Sequence, residues 1–418
     1  MTDHVVVVGA GLTGLVSAIR LREAGIEVSL VTKGIGGFQL GQGTIDVLGY
    51  APQPVTGPLM EAVREFAGHN PYHPYAILGP DPVRAGVDYL RTLIPHLIAG
   101  DLNHNYFLPT PVGALRPTAL PQPSMVEGEC VSGKRMVLVG LRQLKDFWPE
   151  LIAGNLARTD LPDGGRLDAR HAWIDLPARE GEVDSSPLTY ARAMDDPAYR
   201  SRFVAELRRV VEPGETVGLP GVLGLTDSNA WLDIQEQLGQ PVFEISTIPP
   251  SVPGMRLNDE LTKIAKDTRV NFILGSPVSG AVTSGERITA LRTETAGRAT
   301  EIPCDHVIFV PGGFESGAIS VDSFLRVSEP ALGLPVWKPD GPLVVEDPFA
   351  AQPLFGAGVR VDDQMRVLGA DDQPVYENLH AAGGILAGAF RWMEKSGEGI
   401  ALASAMRSVD SILGVTNG

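Results

Sequence analysis

The chain has 418 residues, of which 44% are hydrophobic and 20% are charged, so it has enough apolar material for two or three packed domains and not the composition of a disordered protein. A net charge of −16, with no basic run to offset it, excludes nucleic acid and anionic lipid as direct partners. Two cysteines are too few for an iron–sulfur cluster, and the lack of a long apolar run or a leader sequence predicts a cytoplasmic chain with no transmembrane segment of its own.

The first residues predict a strand, a helix and a second strand. Residues 5–8 are all valine, which is typical of a buried parallel strand. The segment that follows has apolar residues on one helical face and ends at Gly25, in the position where a left-handed cap is common. Residues 27–32 are predicted to form the second strand.

The connection between the first strand and the helix is a G-x-G-x-x-G pattern formed by Gly9, Gly11 and Gly14. In this context Gly9 permits a tight turn, Gly11 lets backbone N–H groups approach a phosphate, and Gly14 lets the helix pack closely on the strand. The helix N-terminus adds its dipole and its free N–H groups. We therefore predict a nucleotide-phosphate site here, in preference to glycines that merely turn the chain.

The second strand ends in Thr32 and Lys33, where a nucleotide-binding fold of this kind normally has an acid for a ribose hydroxyl. Two interpretations are open. Lys33 holds a phosphate, as in an NADP site or at the phosphate of a mononucleotide, or it is a surface residue and the ribose has no charged partner.

A glycine-rich stretch follows the second strand. It contains Gly36, Gly37, Gly41 and Gly43, and then Thr44. Such a stretch lets the backbone lie against a flat ring, and Thr44 is placed to hydrogen-bond the ring or a phosphate. The alternative is a flexible loop.

The middle of the chain, residues 76–254, is predicted to be an inserted α/β domain, because strand patterns at 135–139 and 216–219 are separated by helical segments. Prolines at 249, 250 and 253 mark its end. The fold class is therefore α/β, with a discontinuous Rossmann-like domain formed by residues 1–75 and 255–418.

The last part of the chain returns to the first domain. It contains a predicted amphipathic helix, several strands and a final long helix, in the order 257–267, 270–274, 278–283, 288–294, 307–310, 377–382 and 397–415. Two of these strands run into double-glycine turns, at Gly312 and Gly313 and at Gly383 and Gly384. Two such turns returning to an N-terminal nucleotide fold are what a flavin-binding domain requires, and we predict a flavoprotein.

The sequence resembles the B-type, flavoprotein subunits of the anaerobic glycerol-3-phosphate dehydrogenases over almost its whole length. The segments that carry the resemblance are Val31-Thr32-Lys33-Gly34, His73-Pro74-Tyr75 with Leu78-Gly79-Pro80, Pro249-Pro250-Ser251-Val252 with Gly254 and Arg256-Leu257, Gly312-Gly313-Phe314 with Ser316-Gly317, and Phe355-Gly356 before Val361-Asp362.

This resemblance implies a noncovalent flavin, FMN, with FAD as the alternative. It also implies a complex with an FAD-carrying dehydrogenase subunit and a membrane-associated iron–sulfur subunit, through which the chain lies at the inner face of the cell membrane. The complex would oxidise sn-glycerol 3-phosphate to dihydroxyacetone phosphate and pass the electrons to a quinone.

Polar candidates for chemistry are few. His73 and Arg256 flank the predicted inserted domain, so both are candidates to face the flavin across the domain cleft. An arginine there binds a phosphate or carboxylate, and a histidine moves a proton. The alternative is a structural histidine and a surface arginine. No spacing of His, Cys, Asp or Glu predicts a metal site.

Three functions are compatible with these features. The first is the electron-carrying subunit that the resemblance implies. The second is a self-contained FAD-dependent oxidoreductase that acts on a small organic acid in a pocket lined by His73 and Arg256. The third is a structural partner without cofactor, which the retained glycines disfavour because alanine would stabilise compatible positions.

Overall fold

The computed structural model of the protein describes residues 3–295 and 298–415. The helices in these residues are α1 (Leu12–Glu23), α2 (Leu59–His69), α3 (Pro74–Leu78), α4 (Pro80–Leu93), α5 (Pro149–Leu156), α6 (Pro187–Met194), α7 (Pro197–Leu207), α8 (Ala230–Leu238), α9 (Val252–Asp267), α10 (Arg391–Glu394) and α11 (Gly397–Leu413). The strands are β1 (His4–Val8), β2 (Glu27–Thr32), β3 (Tyr106–Pro109), β4 (Leu115–Thr118), β5 (Arg135–Leu141), β6 (Asp168–Ile174), β7 (Thr216–Pro220), β8 (Val242–Ile245), β9 (Asn271–Leu274), β10 (Val278–Ser284), β11 (Arg287–Thr295), β12 (Arg298–Pro303), β13 (His306–Phe309), β14 (Ser320–Val321), β15 (Val327–Ser328) and β16 (Leu379–Ala381).

The first sheet has five strands in the order β16-β13-β1-β2-β9. Every neighbouring pair in it is parallel. The valines of β1 are buried because the sheet is covered by helices, among them α1, whose apolar face packs in the same core. The predicted strand–helix–strand unit at the start of the chain is present, and Gly25 ends α1 with a positive φ of 84°.

A second sheet of four parallel strands, in the order β6-β5-β7-β8, lies entirely within the predicted insertion. Its buried side chains form a separate core that runs from Cys130 to Val252. The predicted fold class, an α/β Rossmann-like domain with an inserted α/β domain, is confirmed by this architecture.

The two hydrophobic cores do not meet at the domain boundaries predicted from the sequence, residues 76 and 254. Residues of α4 and of the segment up to Leu120 are buried in the first core. The reason is the packing of α4 against α11, where Gly86 lies so close to Leu402 that a Cβ on it would be 2.8 Å from the Leu402 Cβ. The second core therefore begins well after residue 76.

Helix α9 connects the two cores. It begins at Val252, five residues before the predicted start, because the Ser251 side chain accepts a hydrogen bond from the Gly254 N–H at 3.2 Å and caps the helix. Val252 is buried in the second core, whereas Leu257 and Leu261 are buried in the first. The predicted boundary at 254 thus falls within this helix.

Candidate cofactor-binding site

The carboxyl ends of the parallel strands of the first sheet lie at one edge. The chain leaves β1 toward β2 on one side, while β13 lies on the other side of β1. The gap between β1 and β13 is therefore the point where the strand order reverses, which is where ligands bind in open parallel sheets.

Gly9 and Gly14 make the turn after β1 compact. Gly9 has a φ of 118°, and its N–H donates to the Val31 carbonyl oxygen at 2.8 Å. A Cβ on Gly9 would overlap the Val310 carbonyl oxygen, and a Cβ on Gly14 would overlap the Gly9 carbonyl oxygen. These two glycines are thus required by backbone packing, whatever binds next to them.

Gly11 differs from its two neighbours in the motif. No atom lies within 4 Å of the position that its Cβ would take. It is the N-cap of α1, and no side chain caps the helix there. The start of α1 thus leaves room beside Gly11 for a phosphate to approach the N–H groups of the first turn.

The segment after β2 forms one wall of this space. Gly36 packs on the motif, since a Cβ on it would lie 2.5 Å from the Gly11 Cα. The Thr32 hydroxyl exchanges hydrogen bonds with its own loop, donating to the Gly34 carbonyl oxygen and accepting from the Gly34 N–H. Lys33 is exposed to solvent. The Thr32 hydroxyl is thus hydrogen-bonded within its own loop and Lys33 faces solvent, while Gly36 is the residue of this segment that packs on the motif.

The loop containing Gly41, Gly43 and Thr44 lies at the junction of the two cores. Gly43 has a φ of 78°, and its carbonyl oxygen accepts a hydrogen bond from the buried Gln122 amide at 2.9 Å. A Cβ on Gly43 would lie 2.5 Å from the Pro253 Cβ. The Thr44 hydroxyl is buried and donates to Asp46 at 3.2 Å.

The double-glycine turns after β13 and β16 lie at the same carboxyl edge of the first sheet. Gly383 has a φ of 69° and packs on Thr13 in the first turn of α1, where a Cβ would overlap the threonine hydroxyl. Gly312 has a φ of 95° and packs on Ser316. Gly313 and Gly384 both contact the guanidinium of Arg391. The structure therefore brings the predicted turns after β1, β13 and β16 together.

Three charged residues beside this edge, Asp46, Arg116 and Glu398, belong to no recognisable sequence motif. The Arg116 guanidinium forms an ion pair with Asp46, and the Asp46 N–H donates to the Glu398 carboxylate at 3.4 Å. Glu398 lies in the first turn of α11 and is half-buried. Burial raises the pKa of Glu398 to about 7, the negative charge of Asp46 acts in the same direction, and Arg116 opposes both.

Replacement of Glu398 by glutamine is expected to stabilise the protein above neutral pH. A carboxyl group whose pKa is raised from 4.5 to about 7 in the folded state loses its stabilising contribution as the pH rises through that interval. Glutamine stays neutral, so the variant should exceed wild type by on the order of 2 to 3 kcal/mol in unfolding free energy at about pH 8. Urea denaturation across the pH range measures the difference.

Glu394→Gln is the matched control, with the opposite sign. Burial raises the pKa of Glu394, but hydrogen bonds from His73, Phe390 and Ser396 outweigh it and hold the pKa below 4.5. This carboxylate stabilises the fold above its unfolded pKa, and the contribution is lost as the pH falls through the lower folded value. Glu394→Gln should therefore be less stable than wild type at neutral pH. If the two variants showed the same dependence of stability on pH, the opposite pKa shifts of Glu398 and Glu394 would be contradicted.

His73 is buried at the start of α3. Its Nδ1 accepts a hydrogen bond from the Tyr75 N–H at 3.1 Å, which leaves the proton on Nε2 to donate to Glu394 at 3.1 Å. The ring also packs edge-on against Phe66, with centroids 5.0 Å apart. Both ring nitrogens thus have protein partners.

Arg256 lies in the interior of the junction between the cores. Its Nη1 and Nη2 donate to the two carboxylate oxygens of Glu244 at 2.7 and 3.0 Å, and its Nε donates to the Gly224 carbonyl oxygen at 2.8 Å. The partners of Arg256 and those of His73 are different residues, and the two side chains form no hydrogen bond with each other.

A helix N-terminus open to a phosphate, with glycine turns around it at the switch point of a parallel sheet, is the arrangement of a nucleotide-binding fold. The chain belongs to the family described as FAD binding domain, which matches residues 4–402. This match confirms the prediction of a flavin. It indicates FAD, and it does not support the preference for FMN that the sequence resemblance implied.

Relatives match over the full length. The chain is 29% identical over 433 residues to the B-type subunit of the anaerobic glycerol-3-phosphate dehydrogenase of Pectobacterium atrosepticum, covering 99% of both chains. It is 28% identical over 415 residues to the probable B-type subunit of the same dehydrogenase in Halobacterium salinarum, covering 96% of both. Among solved structures, 3-ketosteroid Δ1-dehydrogenase from Sterolibacterium denitrificans is similar, with a TM-score of 0.46 at 12% identity and coverage of 99% and 100%.

Between residues 3 and 415, leaving aside 296 and 297, no helix has both the length and the apolar character that a membrane span requires.

Proposed function

We propose that the protein is the flavin-binding subunit of an anaerobic glycerol-3-phosphate dehydrogenase complex and that it binds FAD. The observation that carries the proposal is the open N-terminus of α1 at Gly11, surrounded by the turns after β2, β13 and β16. Relatives that match almost end to end at 27–29% identity are named as the B-type subunit of this dehydrogenase.

The residues of this chain would hold the cofactor in two ways. The first-turn N–H groups of α1 receive a phosphate, because Gly11 leaves the approach open. The loop with Gly41, Gly43 and Thr44, next to the start of α11, provides backbone against which a flat ring can lie. When bound, the flavin supplies reversible two-electron oxidation and reduction.

The reaction of the complex removes two electrons and two protons from sn-glycerol 3-phosphate, at the carbon that carries the secondary hydroxyl, and yields dihydroxyacetone phosphate. Electrons then pass to a quinone through the FAD-carrying and iron–sulfur subunits. In this scheme the chain lies at the inner membrane face through those partners. Glu398, with a pKa of about 7, can hold or release a proton at physiological pH near the loop that contains Gly41, Gly43 and Thr44.

The contacts of His73 and Arg256 do not favour a self-contained enzyme for small organic acids. That function needs the two side chains to share a pocket with donors directed at a substrate, whereas their ring and guanidinium groups hydrogen-bond to Glu394 and Glu244. Their predicted catalytic role stays a prediction.

The proposal is tested on the purified chain and on the chain copurified with its partners. The chain should be yellow, and heat should release a nucleotide with the mass of FAD. Copurified complex should reduce an artificial acceptor with sn-glycerol 3-phosphate, and the chain alone should not. A colourless, nucleotide-free chain would contradict flavin binding. Substrate turnover by the isolated chain would instead support a self-contained enzyme, and FMN in the extract would restore the first cofactor prediction.

A further inference from the structure

Arg391 occupies a position that no sequence motif marks. It begins the short helix α10, and its guanidinium lies between the glycine turns after β13 and β16. A Cβ on Gly313 would lie 2.5 Å from Nη2, and a Cβ on Gly384 would lie 2.7 Å from Nη1. Neither glycine has a positive φ, so a side chain at either position would disturb this guanidinium rather than strain the backbone conformation.

Arg391 lies close to the start of α1, where the phosphate is proposed to bind. β13 is the direct neighbour of β1, whose turn leads into Gly11, and adjacent strands are about 4.8 Å apart. Gly383, next to Gly384, packs directly on Thr13 in the first turn of α1. The guanidinium thus lies at the same sheet edge as the open helix N-terminus.

The donors of Arg391 are only partly used. Nη2 donates to both carboxylate oxygens of Glu315 at 3.0 and 3.2 Å. Within residues 3–295 and 298–415, Nη1 and Nε donate to no protein acceptor. The Glu315 side chain is 57% exposed, and an ion pair in such a setting contributes little stability. The Arg391 guanidinium is therefore held by one weak ion pair, and its Nη1 and Nε groups remain available to a ligand.

We propose that Arg391 binds a phosphate group of the flavin nucleotide, opposite the N–H groups at the start of α1, and that its weak ion pair with Glu315 gives way to the phosphate. This rests on the proposed function. A guanidinium suits a diphosphate because it can donate two parallel hydrogen bonds to adjacent oxygens. It also offsets the repulsion between an anionic cofactor and a chain with a net charge of −16.

The test is titration of flavin-free protein with FAD and with riboflavin, which has the same ring and no phosphate. Arg391→Gln should weaken FAD binding by about 10- to 100-fold, because a charge-assisted contact is lost, and leave riboflavin affinity unchanged. Glu315→Gln should bind FAD at least as tightly as wild type, because it frees the guanidinium. Gly384→Ala should weaken FAD binding in the same direction and by less, because its Cβ would shift the guanidinium without removing the charge.

Arg287→Gln is the matched control, since Arg287 also forms a half-exposed ion pair with a glutamate, Glu377 at 3.3 Å, and its loss changes the net charge equally. It should bind both flavins as wild type does. Equal loss of FAD and riboflavin in Arg391→Gln, or FAD loss in Glu315→Gln, would show a structural ion pair and overturn the proposal. Unchanged FAD binding in Arg391→Gln would overturn it too, whereas wild-type protein that binds no flavin would refute the proposed function as well.

Discussion

Replacement of Gly11 by valine is expected to reduce flavin affinity by about a hundredfold or more while the protein remains folded. The valine side chain would enter the space into which the first-turn N–H groups of α1 open, where no protein atom lies within 4 Å of the new Cβ. Loss of two charge-assisted hydrogen bonds to a phosphate accounts for a change of this size. Flavin titration followed by fluorescence measures it.

Stability should respond only weakly to the same substitution. Gly11 has a φ of −78°, which valine adopts without strain. Valine is a poorer N-cap than glycine, which costs up to about 1 kcal/mol and lowers the melting temperature by no more than about 4 °C. A Gly11→Val protein that binds flavin as wild type does would show that the phosphate lies elsewhere.

Two further glycines serve as controls. Gly14→Ala should destabilise the fold by about 2 kcal/mol or more, because its Cβ would overlap the Gly9 carbonyl oxygen and neither backbone segment can move freely. Gly57→Val should change neither flavin affinity nor stability appreciably, since Gly57 has open space around it and lies outside the site. The contrast separates the ligand-facing glycine of the motif from the glycine that packs a helix on a strand.

The parts of the fold that the sequence predicts well are those with local signals. The run of valines at 5–8, the three motif glycines and the cap at Gly25 all belong to one continuous segment, and the strand–helix–strand unit follows from them. The turns at Gly312 and Gly383 are predicted for the same reason, because each follows directly on a short buried strand.

The parts that escape prediction depend on contacts between distant segments. The ion pair of Asp46 with Arg116 joins residues 70 positions apart, and Glu398 lies 352 positions from Asp46. Arg391 meets Glu315 across 76 positions. A single charged residue in a loop or first helical turn looks the same in the sequence whether it faces water or a partner, so no local pattern marks these residues.

Arg256 illustrates the same limit at the junction of the cores. Its position after the insertion makes it a candidate to face the cofactor, but the guanidinium is 3% exposed and the Glu244 side chain is fully buried. Glu244 also accepts hydrogen bonds from the Leu223 N–H and the Ser124 hydroxyl, both at 2.7 Å. The buried pair thus links α9 to β8 and to the segments on either side of it.

Replacement of Arg256 by methionine is expected to lower the free energy of unfolding by about 3 to 5 kcal/mol, the largest effect on stability predicted for this protein. The cost arises because the Glu244 carboxylate would remain buried without a cation. Arg135→Met is the matched control. It removes an arginine whose ion pair with Glu212 spans 3.4 Å with 46% and 62% of the side chains exposed, and it should cost less than about 1 kcal/mol.

The double variant Arg256→Met with Glu244→Gln separates a structural role from a chemical one. Glutamine has the shape of glutamate and can still accept from the Leu223 N–H, so no charge is left buried and most of the lost stability should return. Failure of the second substitution to restore stability would mean that Arg256 acts through packing or through its bond to the Gly224 carbonyl oxygen instead. The role in chemistry predicted from the sequence is tested in the same protein: a stable, flavin-loaded double variant whose complex no longer oxidises substrate would support it, because the loss could not then be assigned to unfolding.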